Sequence, residues 1–269
     1  MTFRILLEEV SNIQINVFIL AACIFILDRI ERKKSIIAGL LLALIISIKV
    51  YPLLLLAFLI YKKEWKSTLS TLIGLAAGVG IVLLYFGVNH GLQLLTEWNN
   101  VQVINGLKCE FMNQSLWGLI CGLLTENTRI DGIQFNIMHL STSQMKTTLA
   151  TFIAIAGAFV AYRFYKYRLI KDSMAIQYII VLSFIPVLSP LAWKYYFVFI
   201  APLCILLYYK LQNTKHLKSL IIPLLVITFT SELFLGHRVS DITEALGFIT
   251  ISSLFISFIS IHYLIPKST

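Results

Sequence analysis

Apolar residues dominate this chain in long runs, and the polar residues gather in short breaks between them. The runs fall at 13–27, 36–61, 67–88, 147–165, 173–190, 195–209, 219–235 and 246–264. A bilayer-spanning helix needs about 20 mostly apolar residues. Several runs are somewhat shorter, so tilted or broken helices are expected. The pattern predicts an all-α, polytopic transmembrane helical bundle of about 8–9 membrane segments, forming a single integral membrane domain over 1–269. One stretch is polar for long enough to stand apart. Residues 89–146 are expected to form a long extracytoplasmic loop, within which Ser115–Leu124 is apolar enough to lie on or dip into the membrane.

Composition agrees with the pattern. Of 269 residues, 58% are hydrophobic and 13% charged, and the mean hydropathy is +0.85. A soluble domain has too little surface to hide so much apolar side chain, and disorder is excluded by the same figures. The formal net charge of +9 invites a nucleic-acid reading, but the positions of the charges oppose it. Basic residues cluster between apolar runs at Arg29–Lys34, Lys62–Lys66, Arg163–Lys171 and Lys210–Lys218, with Lys267 in the tail. With these segments and the adjoining Asp28 and Asp172 inside, the inner side holds 15 of the 22 basic residues and four of the 13 acidic ones (Asp28, Glu31, Glu64 and Asp172). Such asymmetry marks the cytoplasmic side of a membrane protein. The expected partner of this charge is the lipid bilayer with its anionic headgroups, not a nucleic acid.

The charge pattern places both ends of run 36–61 inside. A single span cannot do that. The run carries Lys49 and Pro52 near its middle, and proline pushes Tyr51 away from helical angles. Two short helices, about 36–48 and 53–61, are expected to form a broken or re-entrant hairpin turning at Lys49–Pro52. The N-terminus then lies outside. Met1–Asn12 has Glu8 and Glu9 and one basic residue, so it is not read as a signal peptide.

Few residues suggest chemistry. Signatures of soluble nucleotide-binding, zinc-protease and serine-hydrolase enzymes are absent. The scattered histidines and the four cysteines show no metal-binding spacing, so no metal and no cofactor is expected. Cys23 and Cys204 lie in apolar runs and are expected to pack, whereas Cys109 and Cys121 share the outer loop, where a disulfide is one option. Gly74 and Gly78 form a small-residue pair suited to close helix packing. A lysine within an apolar run either snorkels or marks a site, and Lys49, beside a turn, is read as a site for a phosphate. Asn113, Gln114 and Ser115 form either a polar loop or a group that orients a sugar or headgroup. They also spell a glycosylation sequon, taken here as coincidence. Leu188–Tyr196 contains Ser189, Pro190, Trp193, Lys194, Tyr195 and Tyr196 at an outer turn. It is either part of the aromatic belt or a ligand site. Gln14 and Asn16 flank the first span on the same outer face.

Four of these segments, in order, resemble glycosyltransferase family 87, whose members are integral membrane enzymes of the GT-C class. Ile48–Pro52 followed by Lys62-Lys63-Glu64-Trp65 resembles its "aaiKxxPll…rrrW" stretch. Gln14-Ile15-Asn16 is similar to its "GQxN", Asn113–Leu116 to its "NQSl", and Leu188–Tyr196 to its "lSPxsWxhH". The resemblance runs from about residue 12 to 210. It departs at Ile13, where the family has glycine, and at Tyr195 and Tyr196, where histidines are common. It implies a GT-C-like fold and hexosyl or mannosyl transfer from a polyprenyl-phosphate sugar to a glycan or lipid-linked acceptor, on the outer face of the bacterial plasma membrane.

Donor binding would fall to Lys49, Tyr51, Gln14, Asn16, Asn113, Gln114, Ser115, Trp193, Lys194 and Tyr196, with Arg238 a further cation. A carboxylate would deprotonate the acceptor. The family's aspartate for that role belongs to a loop upstream of the pattern seen here. The chain is therefore expected to lack an N-terminal part and to bind the donor better than it transfers the sugar. Glu8, Glu9, Glu97 and Asp131 remain as outer carboxylates, and the sequence does not choose among them. Two other classes stay open: a transporter, which should show an internal repeat that is not seen here, and a non-catalytic membrane partner.

Overall fold

The computed structural model describes residues 2–106, 109–126, 128–130, 133–134, 136–168 and 173–265. Asp131, Lys171, Asp172 and Lys267 lie outside the described residues. Among the described residues, regular structure is helical apart from one short antiparallel pair, Thr128–Ile130 with Ile133–Gln134. It divides into two compact units, Ile15–Gly106 and the combination of Met1–Gln14 with Leu107–Thr269.

The Ile15–Gly106 unit holds α2 (Asn16–Glu31), α3 (Ser35–Ile48), α4 (Leu53–Tyr61), α5 (Trp65–Phe86) and α6 (Val88–Gly106). The break expected at Lys49–Pro52 is present, with Lys49 extended at φ −143°, ψ 129°. The small residues of α3 and α5 fix the relative direction of these two helices. Gly39 lies against Ser67 and Ser70, Ala43 against Gly74, and Ser47 against Gly78. Sequence number rises together along both faces, so α3 and α5 run parallel and α4 carries the chain back between them. The turns Arg32–Lys34 and Lys62–Glu64 therefore sit at the same end of the unit.

Both turns close a helix in the same way. Lys33 and Lys63 take the left-handed conformation, at φ 59° and 58°. The next amide bonds back to the preceding helix, Lys34 N to Arg29 O at 2.8 Å and Glu64 N to Leu59 O at 3.0 Å. This is the usual way to satisfy the last carbonyls of a helix, although glycine is the usual residue. At Gly74 an added Cβ would come within 2.6 Å of Ala43 Cβ. The small residues of this face are thus what lets the two backbones approach.

The second unit contains α1 (Thr2–Ser11), α7 (Leu116–Leu124), α8 (Thr142–Lys166), α9 (Ser173–Leu188), α10 (Ala201–Leu211), α11 (Lys218–Phe229), α12 (Glu232–Ala245) and α13 (Phe248–Tyr263). A 3₁₀ segment, Lys194–Ile200, leads into α10. α13 packs against α9 through a serine face on which Ser183 Oγ and Ser257 Oγ share a hydrogen bond of 2.8 Å. Arg163 donates to Ile261 O at 3.1 Å, at the C-terminal turn of α13. Cationic side chains favour that end of a helix. α11 and α12 meet at Thr230–Ser231 with a bend of 87°.

Among the described residues, three helices are long and apolar enough to cross a bilayer: α5, α8 and the continuous Lys194–Leu211 segment. The number rises to five if Arg4–Ser11 with Asn16–Glu31, and Lys215–Phe229 with Glu232–Ala245, each make one broken span. This is below the 8–9 segments the apolar runs suggest. α3, α9 and α13 are apolar but have only 14–16 residues, roughly 21–24 Å at 1.5 Å per residue, short of a core about 30 Å thick. The polar stretch 89–146 is also less irregular than expected, because α6 fills its first third and α7 its centre. Ser115 starts α7 by accepting from Gly118 N at 3.1 Å, a standard N-cap. The Cys109–Cys121 disulfide is formed, with a Cα–Cα distance of 5.6 Å. Cys23 is fully buried, in keeping with a packing role.

Candidate functional site

The residues singled out in the sequence fall into two groups, one in each unit. In Ile15–Gly106 the break after α3 places Lys49 and Tyr51 on Asn16, the first residue of α2. Asn16 is fully buried. Its Oδ1 accepts from Lys49 Nζ at 3.1 Å and from Tyr51 Oη, and the ammonium also lies 5.9 Å from the centre of the Tyr51 ring. A buried amide oxygen that orients an ammonium is a fixed arrangement, unlike a lysine that merely reaches for the interface. Lys49 itself is only partly buried, so part of its surface stays accessible. Glu97 stands apart, exposed on α6 and bonded to Gln93 Nε2 at 2.8 Å.

In the other unit the segments Asn113–Ser115 and Pro190–Ala192, 77 residues apart, are clamped together. Asn113 Nδ2 donates to Pro190 O at 3.0 Å. Its Oδ1 accepts from the amides of Ser115 and Ala192, both at 3.1 Å. Gln114 N donates to Ala192 O at 2.7 Å, Ser115 Oγ to Pro190 O at 3.2 Å, and Thr250 Oγ1 to Gln114 O at 2.6 Å. Asn113, Gln114 and Ser115 are all buried. Asn113 and Ser115 face protein backbone, so what they do in this structure is hold the turn that presents Trp193 and Lys194.

Beyond that turn lies a charged cluster. Lys194 Nζ donates to Glu244 Oε1 at 2.6 Å and stands 3.6 Å from Glu8 Oε1. Arg4 reaches the same Glu244 oxygen at 3.4 Å. Arg4 also donates to Thr230 Oγ1 at 3.2 Å and to Ile227 O, pinning the end of α11. Gln114 Nε2 donates to Glu244 O at 3.0 Å, so the clamp and the cluster are one network. The side chains of Glu244 and Arg4 are 1% and 9% exposed, those of Lys194 and Glu8 24% and 32%. The cluster therefore has a buried end, Arg4–Glu244, and an accessible end, Lys194–Glu8. Buried charges survive only when paired and hydrogen-bonded, which is the role Glu244 serves for both cations.

Trp193 and Tyr196 flank Lys194. Trp193 is partly exposed, with its ring 5.7 Å from that of Tyr195, which in turn lies 5.3 Å from Tyr196. Gln14 bonds locally to Asn12 O at 3.1 Å. Arg238 is exposed on α12. Glu9 is buried. Arg4 and Glu244 are functional candidates that the sequence does not single out. Their only signal is an acidic residue just ahead of the last apolar run and an arginine in the first turn of the chain. Among the described residues no group of histidine, cysteine or carboxylate side chains could hold a metal ion.

The family model of glycosyltransferase family 87 matches residues 1–190. The chain belongs to glycosyltransferase family 87. It is a membrane glycosyltransferase by that membership, and the match covers Asn16, Lys49, Tyr51 and Asn113–Ser115. No curated protein and no solved structure matches it. Lys194 and Glu244 lie beyond the matched residues, and their connection to the family's segment is the network itself.

Just beyond the end of α1, Ile13 has φ 50° and is 90% exposed. A β-branched side chain is strained in that region, whereas glycine is not. Ile13→Gly is therefore expected to raise stability by about 1 kcal/mol, read as an increase in the thermal midpoint in detergent. A lower midpoint would mean that the Ile13 side chain contributes more than its backbone costs.

Proposed function

We propose that this family 87 glycosyltransferase takes a hexose, mannose in the family's typical case, from a polyprenyl-phosphate donor and transfers it to a glycan or lipid-linked hydroxyl on the extracytoplasmic face of a bacterial plasma membrane. The observation that carries the reading is Lys194. Its ammonium is aimed by a buried carboxylate, projects from a clamped turn and remains accessible. Such a cation can hold the phosphate of a lipid-linked donor and stabilise the charge that builds up as the sugar departs. Trp193 and Tyr196 beside it offer flat apolar faces suited to a sugar or an isoprenoid chain. Lys49, held by Asn16 and Tyr51, is proposed as a second phosphate-directed cation. The basic turns Arg32–Lys34 and Lys62–Glu64, at one end of their unit, are assigned to the cytoplasmic side.

Equilibrium binding of a tritiated polyprenyl phosphate to the protein in nanodiscs tests this. Lys49→Ala is expected to weaken binding by about 1.5–3 kcal/mol, the range for a hydrogen bond to a charged group, and Lys49→Arg by much less. Unchanged affinity in a folded Lys49→Ala protein would remove Lys49 from the donor site. A wild-type protein that binds no polyprenyl phosphate would remove the donor class.

A further inference from the structure

Cys109 precedes the Asn113–Ser115 clamp and Cys121 lies in the second turn of α7, so the disulfide between them closes a ring around the clamp. Asn113, Gln114 and Ser115, the N-cap of α7, are all inside that ring. The ring is docked on the 190–192 turn. Asn113 Nδ2 and Ser115 Oγ donate to Pro190 O, Ala192 N donates to Asn113 Oδ1, and Gln114 N donates to Ala192 O. Such bonds form together only while the three clamp residues keep one conformation.

The two ends of the disulfide sit in different surroundings. Cys121 is 2% exposed, a fixed anchor in the core. Cys109 is partly exposed, and Glu110 and Met112, between it and the clamp, are exposed. The segment that enters the clamp therefore buries little side chain of its own, and the disulfide is its covalent tie to the core. Cross-linking residues 12 apart narrows the conformations open to the chain between them.

We infer that the Cys109–Cys121 bond is a redox switch. Oxidised, it holds the clamp on the 190–192 turn. Reduced by a dithiol, it lets the clamp open, and the turn that presents Trp193 and Lys194 loses its position. The opening follows from the geometry, and its effect on donor binding rests on the reading of Lys194 given above. One thiolate of the dithiol attacks the sulfur of Cys109, the less buried of the two residues, and Cys121 leaves as a thiolate and takes a proton. The second thiolate of the dithiol then displaces Cys109, which is protonated in turn, and the dithiol ends as a cyclic disulfide. Two electrons pass from the dithiol to the protein. A disulfide oxidant restores the bond by the reverse exchange. A chain with this bond unmade carries the donor-directed residues without their arrangement.

The test uses the full chain in nanodiscs with and without dithiothreitol, with free thiols at 109 and 121 verified by alkylation and mass spectrometry. Hydrogen exchange reads the opening with no donor present. Reduction is expected to speed exchange of the Ser115 and Ala192 amides about tenfold, as local opening does, and to leave α9 and α13 unchanged. Binding of tritiated polyprenyl phosphate is expected to weaken by about the same factor, since fewer molecules hold the closed clamp, and to recover on reoxidation with oxidised glutathione. The Cys109→Ser/Cys121→Ser protein should behave as the reduced form and ignore dithiothreitol. Unchanged exchange, or unchanged affinity, in protein with verified free thiols overturns the switch. Loss of protection throughout α9 and α13 also overturns it, because the bond would then support the whole fold. Oxidised protein that binds no polyprenyl phosphate while its clamp amides still respond to reduction overturns the donor reading and leaves the opening standing.

Discussion

Asn113→Ala is expected to destabilise the protein by about 3–5 kcal/mol and to abolish transfer. The side chain is buried and bonds to Pro190 O, Ser115 N and Ala192 N. Alanine leaves those two amides without their partner, and each unsatisfied buried group costs about 1–3 kcal/mol. Ser115 Oγ still bonds to Pro190 O, which limits the loss. The thermal midpoint in detergent measures the effect. Met112→Ala, at an exposed neighbouring position, should leave it nearly unchanged. A stable Asn113→Ala protein with weakened sugar binding would instead make Asn113 a substrate contact, the role the sequence alone suggests.

Glu244→Ala has the second large effect, for a different reason. It strips a shared carboxylate from Arg4 and Lys194, one of them almost fully buried. Breaking a buried pair by removing one partner costs about 3–5 kcal/mol, because the remaining charge is left without compensation. Glu244→Asp should retain part of the stability, as the charge is kept at a shorter reach. Glu244→Gln keeps the shape but releases the ammonium. Where that variant folds, its KM for donor should rise more than its kcat falls. A midpoint unchanged by Glu244→Ala would show that the cluster is held by its neighbours and not by this carboxylate.

How much of the fold is legible in the sequence depends on the range over which each signal acts. Lys49 and Pro52 interrupt an apolar run, and both effects are local, so the break between α3 and α4 appears at the expected residues. The return of the chain through α4 is announced by the basic turns at both ends of that run, a pattern of neighbouring charges. The two left-handed lysines are not readable, because the position normally selects glycine and nothing in the sequence announces Lys33 or Lys63. The first part of the polar stretch is helix through Gly106 and not loop. Its residues are polar, and polarity alone does not separate a helix from a loop.

The site obeys the same rule. Asn113–Ser115 and Leu188–Tyr196 are visible as segments, but their mutual clamp spans 77 residues and no local spacing encodes it. Glu244 is harder still. A single carboxylate in an amphipathic stretch becomes meaningful only when folding brings Arg4, Lys194 and Gln114 around it. The apolar runs give 8–9 membrane segments, whereas three to five candidates among the described residues are long and apolar enough to cross, because composition sets a helix's environment and length sets its reach. With 14 to 16 residues, α3, α9 and α13 carry the composition signal without the length.

The most direct measurement of the account is transfer of labelled mannose by the protein in liposomes that contain native membrane lipid extract, with polyprenyl-phosphate mannose and a nucleotide-linked mannose offered in parallel. Labelled product is expected from the polyprenyl-phosphate donor alone, lost in Lys194→Ala and largely retained in Lys194→Arg. Product formed from the nucleotide sugar, or transfer that does not depend on a cation at position 194, would contradict it.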